Sequence, residues 1–288
     1  MPIPLPVLHS TTIVTSLVTL VLNVRLIFCY YAYNKSDKRH FSTLFLCLYS
    51  QLCFNVTSIV FASQSLVGAV TGNWSPAGVF WAGDLTYSFT FAIVVCNFCI
   101  AADRIVAMRR PFQYASKYSR LCQNVCIVLM VISFCGACVR YSTGMKLDSP
   151  VAPAMGFLTR PDVLPSTSVA RNILSFISII ATFFFLREVR LFLKKPHSSH
   201  VYRSIKKLNR VVLLQLVAEA LLMILPDLMF PVSELLGGNP LAVIGPVSLT
   251  TTAFYTLAFS LLLTLKLRQS QMAEVTNVTS SADNTTRR

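Results

Sequence analysis

Apolar residues come in long blocks along this chain, and polar residues come in short stretches between them. Seven blocks stand out, over residues 11–33, 41–64, 79–106, 121–143, 168–192, 211–232 and 241–265. Each is close to the roughly 20 residues that an α-helix needs to cross a bilayer. All seven are expected to be helices, because an open strand edge cannot be satisfied in lipid. The pattern predicts an all-α fold, an integral membrane bundle of seven transmembrane helices over residues 1–266. A polar tail rich in Ser and Thr, residues 267–288, is expected to be disordered.

Composition agrees with that pattern. Hydrophobic residues make up 54% of the chain and charged ones only 12%, against about 25% charged in an average globular chain. A soluble domain of 288 residues would not hide so much apolar surface. The formal net charge is +14. Such a balance suits nucleic acid, but here the charges lie between the apolar blocks, and no nucleic-acid partner is expected. Twenty of the 25 Lys and Arg fall on one side of the predicted membrane. They are Lys35, Lys38 and Arg39, then five in 104–120, eight in 187–210 and four in 266–288. The opposite loops hold Lys146 and Arg160, with Arg140 and Arg171 at their edges. The excess of positive charge on cytoplasmic loops sets the amino terminus outside and the carboxyl terminus in the cytoplasm, which requires an odd number of spans.

Three further features refine the picture. Met1–Ser10 has no basic region and three prolines, so the first block is expected to stay as an anchor. The nine cysteines all lie in or at the ends of apolar blocks, and no disulfide is expected among them. Cys96 and Cys99, and Cys122 and Cys126, are read as packing residues and not as metal ligands, since no histidine cluster accompanies them. The outward-facing sequon Asn73-Trp74-Ser75 is a candidate glycosylation site, made a poor acceptor by Pro76 directly after it.

The third block ends in Asp103-Arg104-Ile105-Val106-Ala107-Met108-Arg109-Arg110-Pro111-Phe112-Gln113-Tyr114. An apolar helix that runs into an acid–base pair and a basic loop marks a membrane boundary. The segment resembles the D-R-Y-x-A-x-x-x-P-x-x-Y stretch that closes the third helix of rhodopsin-like G-protein-coupled receptors. Within that class the chain most resembles the divergent serpentine chemoreceptors of nematodes. The resemblance is residue by residue over 103–114 and architectural elsewhere. Ile105 replaces the usual aromatic, the last block lacks N-P-x-x-Y, and no tryptophan precedes Pro226. Neither 78–84 nor 144–167 holds the cysteine that ties the third helix to an outer loop. No lysine lies within the last block before Lys266, so a retinal Schiff base is ruled out. These departures fit the nematode receptors better than amine or peptide receptors.

The resemblance implies roles for particular residues. Asp103, Arg104, Pro111 and Tyr114 would form the G-protein coupling segment. Asp103 would hold Arg104 at rest, and Arg104 would then meet the carboxyl-terminal helix of Gα. Pro226, deep in the sixth block, frees a backbone carbonyl and would act as a hinge. Asn23 stands at the family's helix-one asparagine, and Asn55 at its helix-two acid. Buried amides in such spans hydrogen-bond across helices. A ligand pocket is expected between the outer halves of spans three, five, six and seven. Its candidates are Asp84, Tyr87, Arg171, Asp227 and Thr251, with Arg140 at the outer end of span four. Arg140 and Arg171 suit a carboxylate, so acidic small molecules are among the expected ligands. The favoured reading of each arginine is nonetheless an interfacial anchor or a partner of Asp84 or Asp227. Arg25 and Glu219 sit deeper, without an assigned partner.

Two function classes follow. The first is a multi-pass receptor of the cell membrane that binds a small extracellular ligand and activates a heterotrimeric G protein. The alternative is a small-molecule transporter or channel, disfavoured by sparse charge within the blocks and by the absence of an internal repeat. An enzyme is not expected: the chain has no H-E-x-x-H, no G-x-S-x-G and no clustered histidines. No cofactor or metal is implied. The expected partners are the lipid bilayer, a small-molecule ligand and a heterotrimeric G protein.

Overall fold

The computed structural model describes residues 5–33, 42–110, 113–147, 153–193, 214, 217–226, 228 and 247–265. Five long helices open the chain: α1 (Leu5–Tyr33), α2 (Ser42–Thr71), α3 (Pro76–Arg109), α4 (Ser119–Thr143) and α5 (Val163–Leu193). A last helix covers Val247–Leu265. Among the described residues these six are long and apolar enough to cross a membrane. Of the sixth predicted block, 211–232, the described part is helical and holds a π-helical turn, Ala220–Ile224. The tail 267–288 lies outside the described residues.

Several helices outrun their apolar blocks because local chemistry, not hydropathy, ends them. Helix α2 continues seven residues past position 64 and stops at Gly72, whose φ of 70° is a left-handed cap that a residue with a Cβ adopts at a cost. Helix α3 starts at an N-cap, where the Ser75 hydroxyl accepts a hydrogen bond from the Gly78 N–H at 3.3 Å. Pro76 fills the first helical position, where its missing N–H costs nothing. Helix α5 begins five residues before its block, with Pro165 in the first turn.

Helix α3 is the axis of the bundle and packs on α2, α4 and α5. Its apolar window is 56% buried inside the structure, against 11% for α4. Helix α4 therefore turns residues such as Val125, Val128, Ile132 and Val139 outward, where lipid is the matching solvent. The main core gathers Phe54, Phe61, Phe80, Tyr87, Phe91, Ile93 and Tyr255 around α3. A second cluster, with Leu26, Cys47, Leu48, Cys96 and Phe259, lies toward the Asp103 end.

Many polar groups inside the bundle turn back on their own helix or bridge to another. Thr19, Thr182 and Thr264 donate to carbonyls four residues earlier, at 2.7–2.9 Å. Across helices, Ser260 donates to Asn23 at 2.6 Å, Thr12 meets Thr250 at 2.8 Å, and Asn97 donates to the Tyr255 hydroxyl at 2.7 Å. These bonds fasten the last helix to α1 and α3. Asn23 also reaches Gln51 on α2 at 3.5 Å. Asn55, by contrast, spends its amide N–H on the Gln51 carbonyl of its own helix at 2.6 Å. The interhelical place given to Asn55 from the sequence is thus taken by Gln51, one turn earlier.

Candidate functional site

Residues of interest collect at the two ends of α3. At its carboxyl end Asp103 is buried, 1% exposed. The Tyr114 hydroxyl donates to its Oδ1 at 2.7 Å, and the Thr43 hydroxyl donates to its Oδ2 at 3.0 Å. One carboxylate therefore fastens the start of α2 and the π-helical turn Tyr114–Tyr118 to α3. The sequence reading gave Asp103 as the partner of Arg104; the hydrogen bonds described at its carboxylate come from Tyr114 and Thr43. Adjacent residues on a helix point about 100° apart, so Asp103 faces inward while Arg104 sits at the flank, half-buried and near the Tyr114 phenol. Burial, followed by the bond to Asp103, pushes the Tyr114 phenol well above its ordinary value. The phenol therefore stays protonated, and stays a donor, throughout the physiological range. Pro111 lies outside the described residues.

Two further contacts set this end. Arg109 pairs with Glu188 on α5, and Ile105 and Met108 pack against Phe185, Leu186 and Val189. Inward of Asp103 the Cys96 thiol approaches the Met130 sulfur at 3.1 Å. Among the described residues no group of three or more His, Cys, Asp or Glu is placed to hold a metal ion.

At the other end of α3 a small cavity, about 20 Å³, is lined by Tyr87, Tyr141, Leu164, Thr167, Ser168, Arg171 and Ser248. Arg171 is 6% exposed and donates to Thr90 at 3.2 Å and to Ser248 at 2.6 Å. It spans from α5 to α3 and to the last helix. Of the six ligand candidates read from the sequence, Tyr87 and Arg171 line this cavity. Asp84 is buried one turn away and accepts hydrogen bonds from Ser88 at 3.2 Å and Ser142 at 3.1 Å. Thr251 donates to the Ser248 carbonyl at 3.0 Å and does not line the cavity. Asp227 lies outside the described residues, whereas Pro226 is buried just beyond the π-helical turn.

Arg140 pairs with Asp162 at 2.7 Å and donates to Ser166 at 3.1 Å. The sequence reading offered Asp84 or Asp227 as its partner; the acid it holds is Asp162, 22 residues away on the connection into α5. That bond draws the Asp162 carboxyl below its ordinary range. Asn73 is exposed in the turn between α2 and α3, but the hydroxyl of its sequon, Ser75, is engaged as the α3 cap.

The connection between α4 and α5 closes this end without a disulfide. Lys146 N–H donates to the Leu158 carbonyl and Arg160 N–H to the Gly144 carbonyl, each at 2.8 Å, around an antiparallel bridge of Met145 and Thr159. The short helix Met155–Leu158 drives Met155 and Leu158 into the main core. Gly83 on α3 makes room for it: a Cβ there would meet the Met155 sulfur at 2.9 Å and the Phe61 ring at 3.0 Å. Sequence reasoning missed Ser248, Tyr141, Thr167 and Ser168. The one available hint was their helical spacing from Thr251, Arg140 and Arg171.

Among the described residues, six apolar helices of membrane-crossing length and an outward apolar surface define the class: a multi-pass protein of the cell membrane. Residues 1–141 match the model of the family described as serpentine type 7TM GPCR chemoreceptor Srbc. The match takes in α1 to α3 and nearly all of α4, including the Asp103–Tyr114 segment. The amino-terminal part of the chain, just under half of its length, is thus similar to a family of seven-helix chemoreceptors. No curated protein matches the chain significantly.

Proposed function

We propose that the chain is a chemosensory receptor that binds a small molecule beside Arg171 and stimulates nucleotide exchange on a heterotrimeric G protein through the Arg104 end of α3. The observation that carries this reading is the clamp of Thr43 and Tyr114 on Asp103. It sits inside the one segment that matches the receptor signature residue by residue, and it holds together the elements that must part if a partner is to dock. Releasing Asp103 frees α2, the turn at Tyr114 and the flank carrying Arg104 together.

At the ligand end Arg171 supplies a buried guanidinium next to two tyrosines and several hydroxyls. A planar guanidinium matches a carboxylate in a bidentate way, so the ligand is a small molecule carrying an acidic group. A ligand shifts the receptor only by its difference in affinity for the two states. Opening a cavity of about 20 Å³ around a bound ligand supplies such a difference. Pro226, after the π-helical turn, would serve as the hinge of the sixth segment. In this topology the amino terminus faces outside and the basic loops frame the G-protein surface.

The test is GTPγS binding to Gα in membranes carrying the chain, with a panel of small carboxylic acids and neutral odorants. Arg104→Ala should abolish stimulated exchange while surface expression survives. Arg171→Ala should remove the response to acids. Ligand-dependent uptake with no G protein present would favour a transporter instead.

A further inference from the structure

Arg25 is the sole Lys, Arg, Asp or Glu in α1, and it lies four residues before the end of the 25-residue apolar span Leu5–Cys29. Its direction follows from a neighbour. Asn23 is buried and bonded to Ser260 and Gln51. Two residues along a helix turn the side chain by about 200°, so Arg25 is exposed on the side of α1 away from the bundle. Among the described residues no hydrogen-bond or ion-pair partner reaches its guanidinium. The same outward side carries Val14, Val21 and Phe28, spaced by seven residues and 61%, 67% and 70% exposed, with Leu17 and Val24 exposed between them.

Lipid tails match the valines and the phenylalanine but not a guanidinium, and a charged side chain within a span is costly unless paired. Snorkelling to the headgroups is the simplest relief. Here it works against the backbone. Cα–Cβ bonds tilt toward a helix's amino terminus, whereas the nearer interface, marked by Tyr30, Tyr31 and Tyr33, lies toward the carboxyl end. A second copy of this chain offers no better partner. Among the described acids, Asp84, Asp103 and Glu219 are buried in their own bundle, and Asp162 and Glu188 are held by Arg140 and Arg109. A symmetric pair through α1 would set Arg25 against Arg25. An apolar row with a charge at its flank is the face a helix turns to another helix, and the flanking charge selects the partner. We propose that the outward face of α1 docks a membrane-spanning helix of another protein, one that carries an Asp or Glu level with Arg25. The guanidinium takes that carboxylate in a two-bond fork, and Val14, Val21 and Phe28 pack along the partner.

The experiment uses the full chain in phosphatidylcholine liposomes with synthetic membrane-spanning peptides of Leu and Ala that carry Asp, Asn or Leu at the depth of Arg25. Energy transfer between labelled chain and labelled peptide reads their association. The Asp peptide should associate at least about tenfold more tightly than the Asn or Leu peptide, in keeping with close charge pairs elsewhere. Arg25→Leu alters only the outward side of α1 and should remove that advantage. Arg25→Asp should transfer the advantage to a peptide carrying Arg. Equal association of the three peptides with the wild-type chain would overturn the proposal, and so would an Asp advantage that survives Arg25→Leu. A lipid headgroup as the true occupant would give a different pattern. Phosphatidylserine would then raise the melting temperature of the wild type but not of Arg25→Leu, with no preference among the peptides, and that result also overturns the proposal. Ligand response and nucleotide exchange play no part in these readouts, so their outcome is independent of the signalling proposal.

Discussion

A single carboxylate decides the arrangement at one end of α3. Asp103 is buried, and its two oxygens are taken by hydroxyls from residues 60 positions before it and 11 after it. Removing either donor leaves a buried carboxylate short of a partner, and a hydrogen bond to a charged group contributes roughly 1.5–3 kcal/mol. Tyr114→Phe keeps the ring and its packing and deletes only that bond. We expect it to lower the melting temperature of the chain in nanodiscs and to raise basal GTPγS binding, since the clamp opens more often. A variant as stable as the wild type and equally silent would show that the clamp does not restrain the bundle. Arg171 is the corresponding residue at the other end. Arg171→Lys keeps the charge but loses the planar fork that reaches both Thr90 and Ser248. It should shift the concentration of carboxylic acid needed for half response by at least about tenfold, a loss of about 1.4 kcal/mol. An unshifted dose response would place the acid elsewhere. The segment 103–114 was legible in the sequence as a unit. The partner of Asp103 was not, because Thr43 lies on another helix and nothing along the chain marks it.

Elements were legible in proportion to how far hydropathy governs them. The apolar blocks gave the helices, since a stretch of about 20 apolar residues has few alternatives in a bilayer. Their ends were misjudged by up to seven residues, because ends are set by caps. Gly72 and Ser75 carry signals that hydropathy does not weigh. The connection between α4 and α5 was the least legible element. Its short helix and bridge are fixed by the fit of Met155 onto Gly83 and by the pair of Arg140 with Asp162, contacts that exist only once the bundle has formed. Gly83→Leu should force Met155 out and loosen this closure. The expected result is faster proteolysis within 144–162 and a weakened ligand response, and an unchanged cleavage rate would count against that packing. Gly72→Ala tests the cap. With φ at 70°, a Cβ costs about 1 kcal/mol, which should appear as a modest fall in melting temperature.

For the whole molecule, the outcome is a bundle built around α3, with lipid-matched helices outside and a polar seam within. The seam runs from Thr12–Thr250 through Asn23–Ser260 to Asn97–Tyr255, and it gives the last helix its position without the N-P-x-x-Y segment of the resembling class. Topology was read from charge alone: twenty basic residues on one side against four in or beside the loops of the other. That reading places the amino terminus outside, so an amino-terminal tag should bind antibody on intact cells and a carboxyl-terminal tag only after permeabilisation. The reverse pattern would turn the Arg104 end away from the cytoplasm and remove the basis for coupling. Coupling itself is the central claim, and one measurement addresses it most directly. GTPγS binding should be compared for the wild-type chain and Arg104→Ala at matched surface expression, each with the Gα panel and the acid library. The account predicts ligand-stimulated exchange in the wild type and none in the variant. Equal stimulation in both would contradict it.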